Sequence, residues 1–202
     1  MGRKTVEESE QTRLKLMEAG TRIFAKHGFA YSTLNDIAHF AGLSRGAVYW
    51  HFKGKWELLQ SIMNAAVLPL EEFFVASAPT KGLEHLLKAL GDTLCVQHHR
   101  DLCTILLKDG EIGLLECPVV VRWRVAQENL RVQLKLLLRA RQPAGMRSQE
   151  QLDALAHLIA LSITGLITES LHNAQSVEKS ISPLVQALRE LLGCAGAGVG
   201  GH

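Results

Sequence analysis

The 202-residue sequence lacks the short motifs that identify many enzymes and redox centres. Its four cysteines form no CxxC pair, so free thiols in a reducing cytosol are expected rather than disulfides. The sequence contains no GxSxG, HExxH, GxGxxG or Walker motif, and no helix pairs acidic side chains for acid–base catalysis. We therefore expect a protein that is not an enzyme and that needs no cofactor.

We expect no segment of the sequence to cross a bilayer. The longest strongly apolar segment, residues 154–168, has fifteen residues, whereas a transmembrane helix needs about 20. The first thirteen residues are charged and polar, and no apolar stretch of the kind found in a signal peptide follows them. These absences predict a cytoplasmic protein without a membrane partner.

The sequence also has little net charge and few aromatic residues, but both are concentrated near the N-terminus. The formal net charge is +2, and aromatic residues make up 5% of the chain. Residues 1–55 hold nine basic and five acidic side chains, a net charge of +4, whereas the remainder carries −2. Eight of the eleven aromatic residues lie at or before Trp56. The N-terminal quarter therefore has a different task from the rest, and its charge suits a polyanionic partner.

No segment shows sustained strand alternation, and nearly every segment has the helical period. This pattern predicts an all-α protein of about nine helices, with an N-terminal three-helix, helix-turn-helix domain and a larger helical domain. Leu16, Ile23 and Phe24 share one face of a first helix that ends at Gly28. After a helix that begins near Lys55, we expect helices at about residues 83–99, 101–113, 119–141, 149–172 and 177–192.

Two short helices joined by residues 41–44 have the arrangement of a helix-turn-helix motif. The second helix begins after Ser44 and turns only Val48 and Phe52 inward. A motif of this kind places its second helix in the major groove of DNA. Similar helix pairs also occur in proteins that never contact DNA, so the spacing alone leaves both interpretations open.

The outward face of this second helix has the side chains that a groove-facing helix needs. It presents Arg45, Gly46, Ala47, Tyr49, Trp50 and His51. A guanidinium can donate to guanine, small residues permit close approach, and rings with polar tips can donate to phosphate. Lys55 follows in the first turn of the next helix. A surface aromatic cluster on so short a helix needs something to cover it, which favours DNA binding.

The run from Thr33 to Lys55 begins with TLNDIA and ends with GLSRGAVYWHFKGK. It resembles the DNA-binding part of the tetracycline-repressor (TetR) family, in particular the AcrR-like branch that controls multidrug efflux pumps. The likeness covers about residues 9–65, and the YWHF-x-x-K string makes it specific. The resemblance implies that Thr33, Tyr49, His51 and Lys55 hold phosphates, and that Arg45, Gly46, Ala47 and Trp50 approach base edges. With Ser44, these residues make up the predicted DNA-binding set.

We expect a DNA-binding domain at residues 9–55, a ligand-binding and dimerisation domain at 56–193, and a disordered tail at 194–202. One recognition helix reads only a few base pairs, so specificity needs a homodimer on a pseudo-palindromic operator. The predicted helix 149–172 is apolar on most of its circumference, which suits a partner copy or a helix enclosed by its own domain. The predicted interface residues are Leu155, Ile159, Ile163, Leu166, Leu184 and Leu188.

The resemblance also implies regulation by a small molecule that moves the helix beginning at Lys55. After Trp56 the only aromatic residues are Phe73, Phe74 and Trp123, so we expect a lipophilic effector rather than a flat cationic dye. The predicted ligand contacts are Leu106, Ile112, Trp123 and Gln127, of which the apolar ones are equally suited to core packing. The predicted function is repression of a multidrug efflux operon by a homodimer bound to double-stranded DNA and released by this effector.

A metal-responsive or thiol-redox-responsive regulator is the alternative hypothesis. Cys95, His99 and Cys103 share one face of a predicted helical stretch and offer ligands for a soft metal. However, residues eight apart lie roughly 12 Å apart along a helix, too far to hold one ion without help from another segment. Buried cysteines and surface histidines are the simpler explanation, and we expect no metal site here.

Overall fold

The computed structural model describes residues 6–68, 71, 82–109, 118–141, 147–172 and 174–191. These residues form nine α-helices and no strand, which confirms the all-α prediction. The helices are α1 (Val6–His27), α2 (Leu34–Phe40), α3 (Arg45–His51), α4 (Lys55–Ala65), α5 (Gly82–Cys95), α6 (Gln97–Asp109), α7 (Pro118–Arg141), α8 (Gln149–His172) and α9 (Ala174–Leu191).

Local sequence signals set the ends of the short helices near the N-terminus. Gly28 ends α1 in the left-handed region (φ 82°), and its N–H donates to Phe24 O at 2.8 Å. Gly42 has the same kind of conformation (φ 67°) in the turn between α2 and α3. Thr33 caps α2, and Ser44 caps α3 by accepting a hydrogen bond from the Ala47 N–H at 3.2 Å. These caps fix the two helices of the helix-turn-helix.

The chain forms two compact units. The first unit contains Met1–Glu72 and Val96–Glu128, so it includes α1 to α4, α6 and the first half of α7. In its core, α1 packs against α2, α4 and α6. The largest fully buried side chains in α1 to α4 and the α3–α4 turn are Leu16, Phe24, Ile37, Phe52, Leu58, Leu59 and Met63.

The crossing of α1 and α4 is especially tight at Gly20. A Cβ atom at this position would lie 3.0 Å from both Ile62 Cδ1 and Leu58 Cδ2. The missing side chain therefore lets the two helix backbones approach closely.

The second unit contains Phe73–Cys95 and Asn129–His202. Within it, α9 packs against α5 and α8. Lys135 on α7 forms an ion pair with Asp153 on α8, and this hydrogen bond lowers the pKa of the Asp153 carboxyl. The buried side chains of its core include Leu87, Leu90, Leu94, Leu130, Leu134, Ile159, Ile163 and Ile167.

The predicted domain limits at 9–55 and 56–193 stay predictions, and the predicted tail at 194–202 lies outside the described residues. The first compact unit extends beyond the predicted DNA-binding domain, because α1 packs against α6 as well as α4. The helix-turn-helix thus shares its core with helices from the middle of the chain.

Within the described residues, the Gln149–Leu171 segment of α8 is long and apolar enough to cross a membrane by length and composition. Its apolar character thus extends beyond the fifteen residues counted in the sequence. The core helix of a soluble protein has the same properties, and α8 packs into the second unit through Ile159, Ile163 and Ile167. Only 33% of the most apolar window is buried, so α8 also has an exposed side.

We expect Gly20→Leu to lower the free energy of unfolding by about 2 kcal/mol or more, because added atoms would overpack the α1–α4 crossing. Urea denaturation followed by circular dichroism measures this change. Lys15→Leu, on the exposed side of the same helix, is the matched control and should stay within about 0.5 kcal/mol of the wild type. Equal unfolding midpoints for the two variants would contradict tight packing at Gly20.

Candidate nucleic-acid interface

Helix α3 has one buried side and one exposed side. Val48 is fully buried, and Phe52, directly after the helix, is also in the core. On the opposite side Tyr49 is 50% exposed and Trp50 is 82% exposed. The structure therefore confirms the inward positions of Val48 and Phe52 and leaves the predicted contact side open to a ligand.

Of the other predicted contact residues on α3, Arg45 and Gly46 are exposed, and Ala47 and His51 are half-buried. The Arg45 guanidinium carbon lies 5.4 Å from the centre of the Tyr49 ring, one helical turn away. This cation–π contact restricts the arginine side chain without using its hydrogen-bond donors. The exposed face of α3 thus combines a guanidinium, two rings and a glycine.

The fold does not require a glycine at position 46. A Cβ atom there would meet only Ser44 Oγ, at 3.9 Å, which is an ordinary contact distance. Alanine would also favour the helix. The absence of a side chain at Gly46 therefore suits a function, because it allows a ligand to approach the backbone of α3 closely.

Thr33 has its hydroxyl group engaged in the cap of α2. The hydroxyl donates to Asp36 Oδ2 at 2.6 Å and accepts from the Asp36 N–H at 3.1 Å, while the Thr33 N–H donates to Asp36 Oδ2 at 2.9 Å. These hydrogen bonds, the side-chain one first, lower the pKa of the Asp36 carboxyl. The cap therefore persists above the ordinary pKa of aspartate and is lost as the pH falls through the lowered value. A phosphate would have to compete with Asp36 for the Thr33 hydroxyl proton.

Lys55 also has partners within the protein. Its half-buried Nζ donates to Phe29 O at 2.7 Å and to Ala30 O at 3.1 Å. It lies 4.8 Å from the centre of the Phe29 ring. An ammonium group has three N–H donors, so these contacts leave one for a phosphate. Lys55 therefore ties the first turn of α4 to the loop that follows α1.

Sequence reasoning missed this second role of Lys55 because its partners lie 25 and 26 residues away. It also missed two exposed aromatic side chains, Tyr31 at 83% exposure and Phe40 at 54%. The high density of aromatic residues before Trp56 was the signal that pointed toward them. Exposed aromatic side chains therefore also occur outside α3.

The structure describes three of the four predicted ligand contacts. Leu106 and Trp123 are buried in the core of the first unit, Gln127 is half-buried, and Ile112 lies outside the described residues. A shallow groove of about 350 Å³ is instead present on the second unit, lined by Arg147, Gln151, Ala154, Leu155 and Leu158. None of the predicted ligand contacts lines this groove.

The predicted interface residues differ in burial. Ile159, Ile163 and Leu166 are buried in the second unit. The predicted interface at these three positions stays a prediction. Leu155 and Leu184 are half-buried, and the side chain of Leu188 lies outside those described.

The exposed face of α8 carries a separate apolar ridge. Its members recur every three or four residues: Ala154, Leu158, Leu161, Gly165 and Thr168, all of them exposed. Leu158 is 49% exposed and Leu161 is 56% exposed. This alternation of four and three residues is the spacing of a helix–helix contact seam. The sequence periodicity showed apolar residues on both faces of α8, but it could not tell which face packs into the chain's own core.

The alternative metal or thiol sensor gains no support from the structure. No group of three or more metal-binding side chains occurs among the described residues. Cys103 is buried, and burial raises the pKa of its thiol to about 12. A thiol that stays protonated at neutral pH is a poor nucleophile and metal ligand. Cys95 is exposed, whereas Cys117 and Cys194 lie outside the described residues.

Comparisons with known proteins agree with this geometry. The sequence model of the family "Bacterial regulatory proteins, tetR family" matches residues 16–62, which end within α4. The HTH-type transcriptional regulator SrpR of Pseudomonas putida is 31% identical over 201 residues, and the alignment covers 94% of this chain and 91% of SrpR. The resemblance drawn from the YWHF-x-x-K string is therefore confirmed.

Two solved structures have the same fold. One is native NalD, the secondary repressor of the MexAB-OprM multidrug efflux pump in Pseudomonas aeruginosa, with a TM-score of 0.64, 24% identity and coverage of 90% of this chain and 96% of NalD. The other is the SmeT–triclosan complex, with a TM-score of 0.60, 22% identity and coverage of 95% of each chain. The family model and the match to SrpR over nearly the whole length lead to one conclusion: this chain belongs to the tetR family of bacterial transcriptional regulators.

Proposed function

We propose that this protein is a homodimeric repressor that binds a pseudo-palindromic operator through α3 and is released by a small lipophilic effector. We further propose that it acts in the cytoplasm, as a regulator rather than an enzyme, and that it controls a multidrug efflux operon. The observation that carries the proposal is the exposed face of α3, where Trp50 and Tyr49 extend from a helix anchored by Val48 and Phe52.

In this proposal α3 lies in the major groove. Arg45 reads guanine, Gly46 and Ala47 allow the backbone to approach the bases, and Trp50 contacts base edges. Phosphates are held by Tyr49 and His51 and by the third N–H of Lys55, with Ser44 and Thr33 at the helix ends nearby. The contact between Arg45 and Tyr49 supports the assignment of Arg45 to base contacts, because it orders the guanidinium before DNA binds.

The proposed efflux operon and effector are supported by the structural neighbours. NalD is the secondary repressor of a multidrug efflux pump, and the SmeT structure is a complex with triclosan. Leu106 and Trp123 are buried, so an effector that used them would displace core contacts in the first unit. An effector that favours the conformation with low DNA affinity by about 1–3 kcal/mol would weaken operator binding by 5- to 150-fold.

The proposed dimer is supported by the apolar ridge on α8. The ridge places Leu158 and Leu161 at its centre, with Ala154 and Gly165 one turn further out on either side. In a two-fold dimer the same patch serves both partners. Small residues beside two leucines allow two such helices to cross closely, as ridges pack into grooves.

The approach of α3 to the bases is tested by Gly46→Ala. We expect about tenfold weaker operator binding, because the added methyl group would occupy space needed by DNA, while thermal stability stays the same or rises. The measurement is fluorescence anisotropy on a duplex that the wild-type protein selects from random-sequence DNA, together with a thermal melt. Arg45→Ala on the same duplex should relax sequence preference instead. Unchanged affinity of Gly46→Ala would contradict a groove position for α3.

The dual role of Lys55 predicts two separable effects of Lys55→Met. Loss of the ammonium removes the hydrogen bonds to Phe29 O and Ala30 O, so thermal stability should fall, and loss of a phosphate contact should reduce the slope of log K against log[salt] by about 0.9. Lys53→Met, an exposed neighbour with the same charge change, is the matched control for stability. Lower stability with an unchanged salt slope would restrict Lys55 to its structural role.

The proposed interface is tested by the double variant Leu158→Glu/Leu161→Glu. Charges on the ridge should convert the dimer to a monomer in analytical ultracentrifugation. Operator binding should weaken at least tenfold, because a monomer cannot bind both half-sites of the operator at once. The fold should persist, since both side chains are about half exposed. Leu136→Glu on α7, a leucine of similar exposure outside the ridge, should leave the dimer intact. A double variant that still sediments as a dimer would place the interface elsewhere.

A further inference from the structure

A half-buried arginine on α7 holds the C-terminal end of α4. Arg122 Nε donates to Glu71 Oε1 at 2.6 Å, and Nη2 donates to Glu71 Oε2 at 2.5 Å. Nη2 also donates to Ala66 O at 2.8 Å, and Nη1 donates to Met63 O. The guanidinium thus joins three chain segments, all within the first compact unit.

The bonds satisfy groups that the helix itself leaves open. The last carbonyls of an α-helix have no intrahelical partner and carry partial negative charge. Helix α4 ends at Ala65, and the backbone at Ala66 is already extended (φ −86°, ψ 142°). The guanidinium donates to Met63 O in this last turn and to Ala66 O directly after it. Glu71 neutralises its charge and also accepts from the Leu68 N–H at 3.1 Å. Arg122 is therefore a side-chain cap supplied to α4 from another helix.

An arginine is specifically suited to this position. Its planar guanidinium offers five N–H donors in a fixed fork, and the four observed hydrogen bonds use four of them. Lysine has one ammonium group and cannot reach a carboxylate and two separate carbonyls with the same geometry. The side chains of Arg122 and Glu71 are 32% and 24% exposed, so water screens the pair only in part.

The position of α4 decides where the helix-turn-helix points. Lys55 ties the first turn of α4 to the loop after α1, and Leu58 and Ile62 pack against Gly20 of α1. Helices α1 to α4 are thereby joined into one piece whose far end is held by Arg122. Helix α7 is continuous from Pro118 to Arg141. The residue that follows Arg122 in this helix, Trp123, is buried in the core. A displacement of α7 would therefore be transmitted to α4 through this cap.

We propose that Arg122 is the positioning residue that fixes the direction of α4, and through it the spacing of the two DNA-binding helices in the dimer. This inference rests on the proposed dimeric repressor. It assigns to Arg122 and Glu71 the task of linking α7, which includes the predicted effector contacts Trp123 and Gln127, to operator recognition. Neither residue touches DNA in this proposal.

The experiment measures how strictly the protein discriminates between half-site spacings. The probes are the duplex selected by the wild-type protein from random DNA and two versions with one or two base pairs inserted between its half-sites. We expect the ratio of affinities, selected spacing over altered spacing, to fall at least fivefold in Arg122→Met, because α4 is no longer held in one direction. Arg122→Lys should not restore the ratio, and Arg124→Met, an exposed arginine on the same helix, should keep it.

A ratio is used because a merely less stable protein would bind all duplexes more weakly and leave the ratio unchanged. Hydrogen exchange of the amides of residues 63–68 should increase in Arg122→Met and not in Arg124→Met. If Arg122→Met does not fold, Glu71→Gln provides the second variant, since it keeps the carbonyl bonds of Arg122 and should lower the ratio less.

A wild-type ratio in a folded Arg122→Met protein would overturn the role of Arg122. If Arg122→Met does not fold, a wild-type ratio in Glu71→Gln would overturn it. The proposed function fails differently. A wild-type protein that selects no site with two half-sites would contradict the dimeric repressor itself, before any variant is compared.

Discussion

The close approach of α1 and α4 at Gly20 is the constraint on which the rest of the first unit depends. A Cβ atom at Gly20 would lie 3.0 Å from side-chain atoms of Leu58 and Ile62, so the two helices pack closely at this point. Helix α2 packs against α1, and α3 packs against α2, with Ile37, Val48 and Phe52 buried. The exposed side of α3 is thus a consequence of packing on its opposite side. The predicted DNA-contact residues of α3 therefore extend from a helix whose other side is held in the core.

Polar side chains near α3 serve the fold as well as the surface. The Thr33 hydroxyl is engaged with Asp36, and the Lys55 ammonium is engaged with the carbonyls of Phe29 and Ala30. Such bonds fix the direction of a side chain before a ligand arrives, which lowers the entropy lost on binding. They also limit what the ligand can use. For Lys55 a single donor remains, and for Thr33 the hydroxyl proton already has a charged acceptor.

Helix α8 illustrates how one helix can serve two surfaces. Its face with Ile159, Ile163 and Ile167 completes the core of the second unit, and its ridge with Leu158 and Leu161 remains exposed. A helix that is apolar all around carries more apolar surface than a single core can cover. The surplus is the physical basis for expecting a partner there. It also explains why the same segment satisfies the length and hydropathy of a membrane span.

The sequence by itself determined the nine helices within the described residues, the helix-turn-helix and the inward positions of Val48 and Phe52. These features arise from local periodicity, caps and glycines, which are contained in short stretches of chain. Only the tertiary structure decided which face of α8 is buried, where the Lys55 ammonium binds, and that Arg122 caps α4. In those cases the partners lie far apart in the chain, 51 to 59 residues for Arg122, and no periodic pattern encodes such a distance. Long-range contacts of this kind are selected by the packing of the whole unit.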